Sequence, residues 1–147
     1  MTVPGDHRTG TAAGFLRGRW KVRRRIVDHR GGVRGEFAGT AVFDDELRYR
    51  EEGELRFGGH HGPATRNLRY VDRGAFVLDV LFQDGREFYR LDLSDGAWSA
   101  EHPCAADTYR VTGRITGPDS FTERWHATGP AKDYELLTTF ERAGPVG

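Results

Sequence analysis

The chain has 147 residues, and its 22 basic and 22 acidic side chains cancel. That length fits one domain burying roughly two thirds of the surface its unfolded form would expose, and the balanced charge provides no global field to gather nucleic acid or an anionic membrane. A single cysteine, Cys104, cannot form an intramolecular disulfide, so nothing points to an oxidised secreted scaffold and a cytoplasmic location is expected.

Residues 1–14, MTVPGDHRTGTAAG, are polar and small, without the apolar run of a signal peptide, and read as a flexible tail. No stretch approaches the ~18 apolar residues of a membrane span. From Phe15 onward the pattern is alternation, broken at short intervals by Gly, Asp or Pro, which signals consecutive antiparallel strands and no helix. A single domain is expected over 15–143, with 144–147 as a short C-terminal tail.

The first strand is expected at 15–29 and carries Gly18-Arg19-Trp20, and the second at 34–43. The third, 46–57, is the clearest: Leu47, Tyr49, Glu51, Gly53, Leu55 and Phe57 share one face, and charged residues hold the other. GGHHGPAT, 58–65, reads as a mobile loop at one barrel mouth, able to act as a lid, before a strand at 64–71. FVLDVLFQDGREFYRLDL reads as a hairpin of strands 75–83 and 86–93 turning on Asp84-Gly85, with Asp79 paired to Arg90 on the wet side. Strands at 97–104, 107–115, 120–128 and 132–142 follow, with a tight turn at Ala105-Ala106.

Short-linked antiparallel strands with one apolar face each hide that face, and protect their edges, by closing on themselves. The expected fold is therefore all-β, an antiparallel up-and-down β-barrel of about ten strands, with a sandwich as runner-up. Gly18-x-Trp20 on the first strand and Arg142 on the last resemble the calycin superfamily of lipocalins and fatty-acid-binding proteins. There the arginine packs over the tryptophan and closes the barrel base by a cation–π contact. The order FLRGRWKVRRRI, GEFAGTAVF, LRYREEGEL, DGREFYRLDL, EHPCAADTY and GPAKDYELLTTFER is also similar to the domain of unknown function family 6314. That resemblance implies a compact β domain and no particular chemistry. The family pattern carries histidine where this chain has Tyr89, which implies a specialised interior.

Alternation places Arg24, Glu51, Arg66, His102, Asp107 and Glu123 in phase with apolar neighbours. An unpaired charge in a dry interior costs several kcal/mol, on the order of a typical domain's whole stability, so these groups must pair, bind water or meet a ligand. A mostly apolar cavity with a few convergent polar groups is the usual form of a small-molecule site. Tyr49, Tyr70, Tyr89, Trp125 and Tyr134 would supply flat walls and polar tips for an aromatic ligand. An inward arginine such as Arg24 either pairs with Glu51 or Glu123 or clamps a carboxylate or phosphate.

EHPCAADTYR sets His102 and Cys104 on one face and returns Asp107 and Tyr109 to it. Three readings stand: a hydrogen-bonded seam, a ligand-anchoring patch, or acid–base catalysis in which Asp107 orients His102 and Tyr109 or Arg66 steadies negative charge. Cys104 has no cysteine-hydrolase signature around it and reads as a small residue lining the pocket. His60-His61 and His102-x-Cys104 lack the spacing of a metal site, and no Gly-rich phosphate loop appears, so neither metal nor cofactor is expected. The leading expectation is a binding barrel for an aromatic or carboxylate-bearing organic molecule. A cofactor-independent cyclase, isomerase or lyase in the same cavity is the alternative, and a solidly packed structural module is the third reading. A homodimer through an exposed strand face stays open.

Overall fold

A computed structural model describes residues 11–143; the expected tail residues 1–10 and 144–147 lie outside the described residues. One helical turn, α1 (Ala12–Leu16), precedes ten strands: β1 (Gly18–Asp28), β2 (Val33–Phe43), β3 (Arg48–Phe57), β4 (His60–Gly74), β5 (Val77–Phe82), β6 (Glu87–Asp92), β7 (Ala97–Cys104), β8 (Asp107–Gly117), β9 (Ser120–Thr128) and β10 (Asp133–Arg142). They form one sheet in the order β6-β5-β4-β3-β2-β1-β10-β9-β8-β7. Each neighbouring pair is antiparallel, and β10 returns beside β1 with Trp20 opposite Arg142. The all-β up-and-down barrel read from the alternation is the observed fold.

Closure is incomplete at one seam. β6 and β7 end the sheet order, and no ladder joins them among the described residues. Side chains bridge the gap instead: the His102 ring on β7 meets Phe88 edge-on at 5.4 Å between centroids and lies 6.2 Å from Phe82.

The base is plugged by α1. Thr11, in extended conformation, accepts a hydrogen bond from Gly14 N at 3.0 Å, and all five helical residues are buried. A helix this short has no stability of its own; burial against the barrel holds it. Ala12, Ala13 and Gly14 therefore belong to the domain rather than to the tail, and the expected strand start at Phe15 moves to Gly18. Phe15 and Leu16 are adjacent and both buried, which alternation cannot describe.

Over this plug the expected closure is present. The Arg142 guanidinium stacks 4.2 Å above the Trp20 ring. Its Nη2 donates to Phe15 O at 2.8 Å, and its Nε donates to Asp119 at 2.7 Å. Trp20 Nε1 donates to Leu16 O at 2.7 Å, so the arginine and the indole each hold the helical turn in place. Phe121 and Phe140 stack at 4.2 Å beside them.

Two hairpins differ from expectation. GGHHGPAT is not a loop: β4 begins at His60, opposite Phe57, and only Gly58-Gly59 turn. The β5–β6 turn is longer than two residues. Gly85 N donates to Phe82 O and Phe82 N to Arg86 O, both at 2.9 Å. The ladder slips after Val80↔Tyr89, where Leu81 faces Glu87, and the bulge turns Phe88 inward beside Tyr89. The Asp79–Arg90 ion pair forms as expected at 2.7 Å, and Arg73 joins it at 2.8 Å.

Candidate functional site

The barrel interior is layered. At the base Trp20, Val22 and Phe140 are essentially inaccessible. Toward the other end the inward Leu55, Ala64, Phe82, Phe88, Tyr109 and Leu136 are only partly buried. An inward side chain that keeps accessible surface lines an open space, so the upper barrel is a cup above a packed floor. Where β10, β1, β3 and the start of β4 come together lies a largely apolar recess of about 310 Å³ between Ile26, Asp28, Leu55, Phe57, His60, Tyr134 and Leu136. On the other side, Phe88 lies 4.7 Å from Trp125, and Tyr109 lies 6.4 Å from both Trp125 and His102.

Between cup and base runs a polar shelf. Strand registers align Arg24 with Thr138, Thr138 with Glu123, and Glu123 with Gly113 in one row, while Glu51 faces Arg66. Arg24 is fully engaged: Nη1 and Nη2 donate to the two oxygens of Glu51 at 2.6 and 2.9 Å, and Nε to Thr138 at 2.9 Å. Tyr49 adds a hydrogen bond to Glu51 at 2.5 Å. Of the two partners weighed for Arg24, Glu51 is the one it meets. Burial alone would raise the Glu51 pKa, but the Arg24 hydrogen bonds and the Arg66 charge outweigh it and hold the pKa below the ordinary carboxylate value.

Glu123 is the opposite case. Its oxygens accept from Tyr89 and from Trp125 Nε1, each at 3.2 Å, and among the described residues no guanidinium is hydrogen-bonded to it. Desolvation dominates and pushes its pKa up. Burial likewise raises the Tyr49, Tyr70 and Tyr89 hydroxyls, which stay protonated donors.

Arg66 differs from Arg24. It lies on the shelf with its Cζ 6.0 Å from the Tyr49 ring, and Glu51, Tyr49, Tyr70 and Glu123 favour its charge against the cost of burial. Its Nε is sealed from solvent and has no hydrogen-bond partner. The residue as a whole is half-buried.

The residues of EHPCAADTYR separate. His102 pairs in register with Tyr109, and Cys104 with Asp107. Asp107 does not meet His102: its carboxylate pairs with Lys132 Nζ at 3.1 Å, and Lys132 also donates to the Tyr109 hydroxyl at 3.4 Å. The register separates them, with Asp107 opposite Cys104 and His102 opposite Tyr109, and Gly129 of the neighbouring turn packs against the Asp107 carboxylate, where a Cβ would come 1.9 Å from Oδ1. Lys132 was missed by sequence reasoning, because nothing local marks a turn lysine as a partner for residues two strands away. Tyr134 also stands at this rim, its hydroxyl pKa raised by burial and by Tyr109. The shelf thus gathers Arg24, Glu51, Arg66, Tyr70, Tyr89, Glu123 and Trp125, while His102, Asp107, Tyr109 and Tyr134 sit nearer the rim.

Comparison with solved structures gives the same architecture. An S-type phycobiliprotein lyase, CPES, from Guillardia theta aligns at TM-score 0.60 and 11% identity, over 90% of this chain and 91% of that one. A protein of unknown function from the DUF3598 family of Nostoc punctiforme PCC 73102 aligns at TM-score 0.58 and 15% identity over 89% of this chain. This chain spans about half, 49%, of the latter. At these identities the likeness is one of fold. No curated protein matches the chain by sequence. A family profile does match, across residues 16–142, and through it the chain belongs to DUF6314, a family of unknown function.

Proposed function

We propose that the protein is a binding barrel for a small organic acid, whose aromatic or apolar body lies in the upper cup and whose carboxylate meets Arg66. The observation that carries this reading is the contrast between two arginines on one shelf. Arg24 has its charge and hydrogen bonds satisfied by Glu51 and Thr138, whereas Arg66, charged beside its cross-strand neighbour Glu51, has an Nε without a hydrogen-bond partner among the described residues. A guanidinium is a planar fork that matches a carboxylate, and such charge-assisted bonds are roughly twice as strong as neutral ones. The recess of about 310 Å³ is at the small end of ligand pockets, which suits a one- or two-ring molecule. Phe57 and Tyr134 supply flat surfaces within that recess, and Phe88, Trp125 and Tyr109 stand on the opposite side of the cup. A cytoplasmic site of action belongs to the same reading.

The alternative is proton transfer by a His102 that Asp107 orients, for which Asp107, paired with Lys132 at 3.1 Å, would have to turn toward His102. The test is a matched pair of probes, 1-naphthoic acid and 1-naphthalenemethanol, titrated calorimetrically into the protein and its Arg66→Gln variant. The acid is expected to bind more tightly than the alcohol, and Arg66→Gln to weaken the acid by ~10–100-fold, the value of a charged hydrogen bond, while leaving the alcohol within about twofold. Equal affinity for acid and alcohol, or an acid affinity indifferent to Arg66, would overturn the proposal.

A further inference from the structure

Among the described residues, two buried side-chain nitrogens lack a hydrogen-bond partner, Arg66 Nε on β4 and Trp98 Nε1 on β7. They come from distant parts of the chain, yet both residues line one chamber of about 10 Å³ under the shelf, which Tyr49, Tyr70 and Glu123 also border. Leaving a buried donor unsatisfied costs ~1–3 kcal/mol, and native interiors avoid it. Trp98 is 8% exposed. Its indole is pinned on the Gly113 backbone, where a Cβ would come 2.2 Å from the ring, so it has little freedom to turn toward a protein acceptor.

We infer that this chamber is a binding site for one water molecule, which accepts from Arg66 Nε and Trp98 Nε1 and donates to the Glu123 carboxylate. Three features select water. The volume is about that of one solvent-sized sphere, the least that holds a water. The site offers two donors and, on Glu123, oxygens that each accept only one bond from the protein, which matches the two lone pairs and two hydrogens of water. A halide would suit the donors but would sit against the carboxylate bordering the chamber, and it would fill the space too tightly. The inference stands apart from the ligand reading, although it has a consequence for it: with Nε committed downward, only the Nη groups of Arg66 remain for a ligand.

The experiment is a high-resolution crystal structure of the protein from bromide-containing solution, paired with water-selective NMR on the three indole N–H signals, assigned with Trp98→Phe. One oxygen-sized density peak within hydrogen-bond distance of both nitrogens, without anomalous signal, is expected. So is a water cross-peak at the Trp98 indole and none at Trp20, whose N–H is given to Leu16 O. An anomalous bromide peak in the chamber would make it an anion site and refute the assignment. So would Arg66 Nε or Trp98 Nε1 bonded directly to a protein acceptor, or a chamber without density and a Trp98 indole without a water cross-peak.

Discussion

Arg24→Met tests the shelf most directly. In the parent protein Glu51 is 2% exposed and receives two hydrogen bonds from Arg24 and one from Tyr49. Removing one partner of a buried pair costs ~3–5 kcal/mol because the other charge stays behind. Glu51 would keep the Tyr49 bond and the charge of Arg66, its cross-strand neighbour, so the lower end applies, about 3 kcal/mol. For a domain of this size that lowers Tm by ~6–12 °C. The pH dependence identifies the cause. With Arg24 present, the Glu51 pKa is depressed, so its contribution is in place above the unfolded value of ~4.3 and is lost as pH falls through the folded value. Without Arg24, desolvation raises that pKa, and protonation then relieves the variant. Urea denaturation followed by tryptophan fluorescence should therefore give a larger deficit at pH 7 than at pH 4, narrowing by ~1.4 kcal/mol for each unit by which the two folded pKa values differ within that interval. Replacing the pair together, as Arg24→Met with Glu51→Leu, should recover most of the loss. A deficit under about 1 kcal/mol at pH 7, or one equal at both pH values, would show that the pair does not behave as a buried ion pair.

Two further outcomes follow from local geometry. Gly113→Ala places a methyl 2.2 Å from the Trp98 ring, and overpacking of this kind costs ~1–3 kcal/mol; a loss of the near-ultraviolet circular dichroism of Trp98 should accompany the lowered Tm, and an unchanged spectrum and Tm would contradict the packing described. On the outer face, the hydrogen bond from Arg90, with Arg73 beside it, lowers the Asp79 pKa to about 2. Its carboxyl should titrate there by NMR, its stability contribution being present above the unfolded value of ~3.9 and lost as pH falls through about 2. A pKa of about 2 against ~3.9 corresponds to ~2.6 kcal/mol, which solvent screening at the two exposed arginines reduces, so Asp79→Asn should cost ~1–2 kcal/mol at pH 7, and a midpoint at the ordinary value would remove the ion pair from the solution structure.

Period-two patterning was enough to recover the barrel, since a strand with one wet face writes its burial into alternate letters, as in Arg48–Phe57. The Trp20–Arg142 closure was legible through the resemblance of Gly18-x-Trp20 and the terminal Arg142 to the calycin pattern. Three things were not legible, each because the deciding contact is remote in sequence or breaks the period. α1 buries consecutive residues, and its placement depends on Arg142 and Trp20 accepting it. The bulge between Val80 and Leu81 follows from a turn whose hydrogen bonds, rather than its Asp-Gly letters, set its length. The partner of Asp107 is chosen by the Gly129–Lys132 turn, so proximity to His102 across a hairpin was the wrong guide. Placing the polar residues inward was within reach of the sequence; deciding which of them satisfy one another needed the strand registers.

That last distinction separates support from recognition inside the barrel. Arg24 and Glu51 form a pair that, with Thr138 and Tyr49, uses its strong hydrogen-bonding positions internally, so it can fix the register of β1, β3 and β10 but has little left for a ligand. Arg66 and Glu123 are the unbalanced half of the same shelf. The carboxyl is pushed toward its neutral form by burial and is held by two neutral donors, while the guanidinium remains charged. A fold needing only stability would do as well with apolar side chains of similar volume at both positions, since buried ion pairs rarely improve on good packing. An interior with one arginine hydrogen-bonded to Glu51 and Thr138 and another whose Nε lacks a protein partner is the arrangement on which the proposed carboxylate ligand rests.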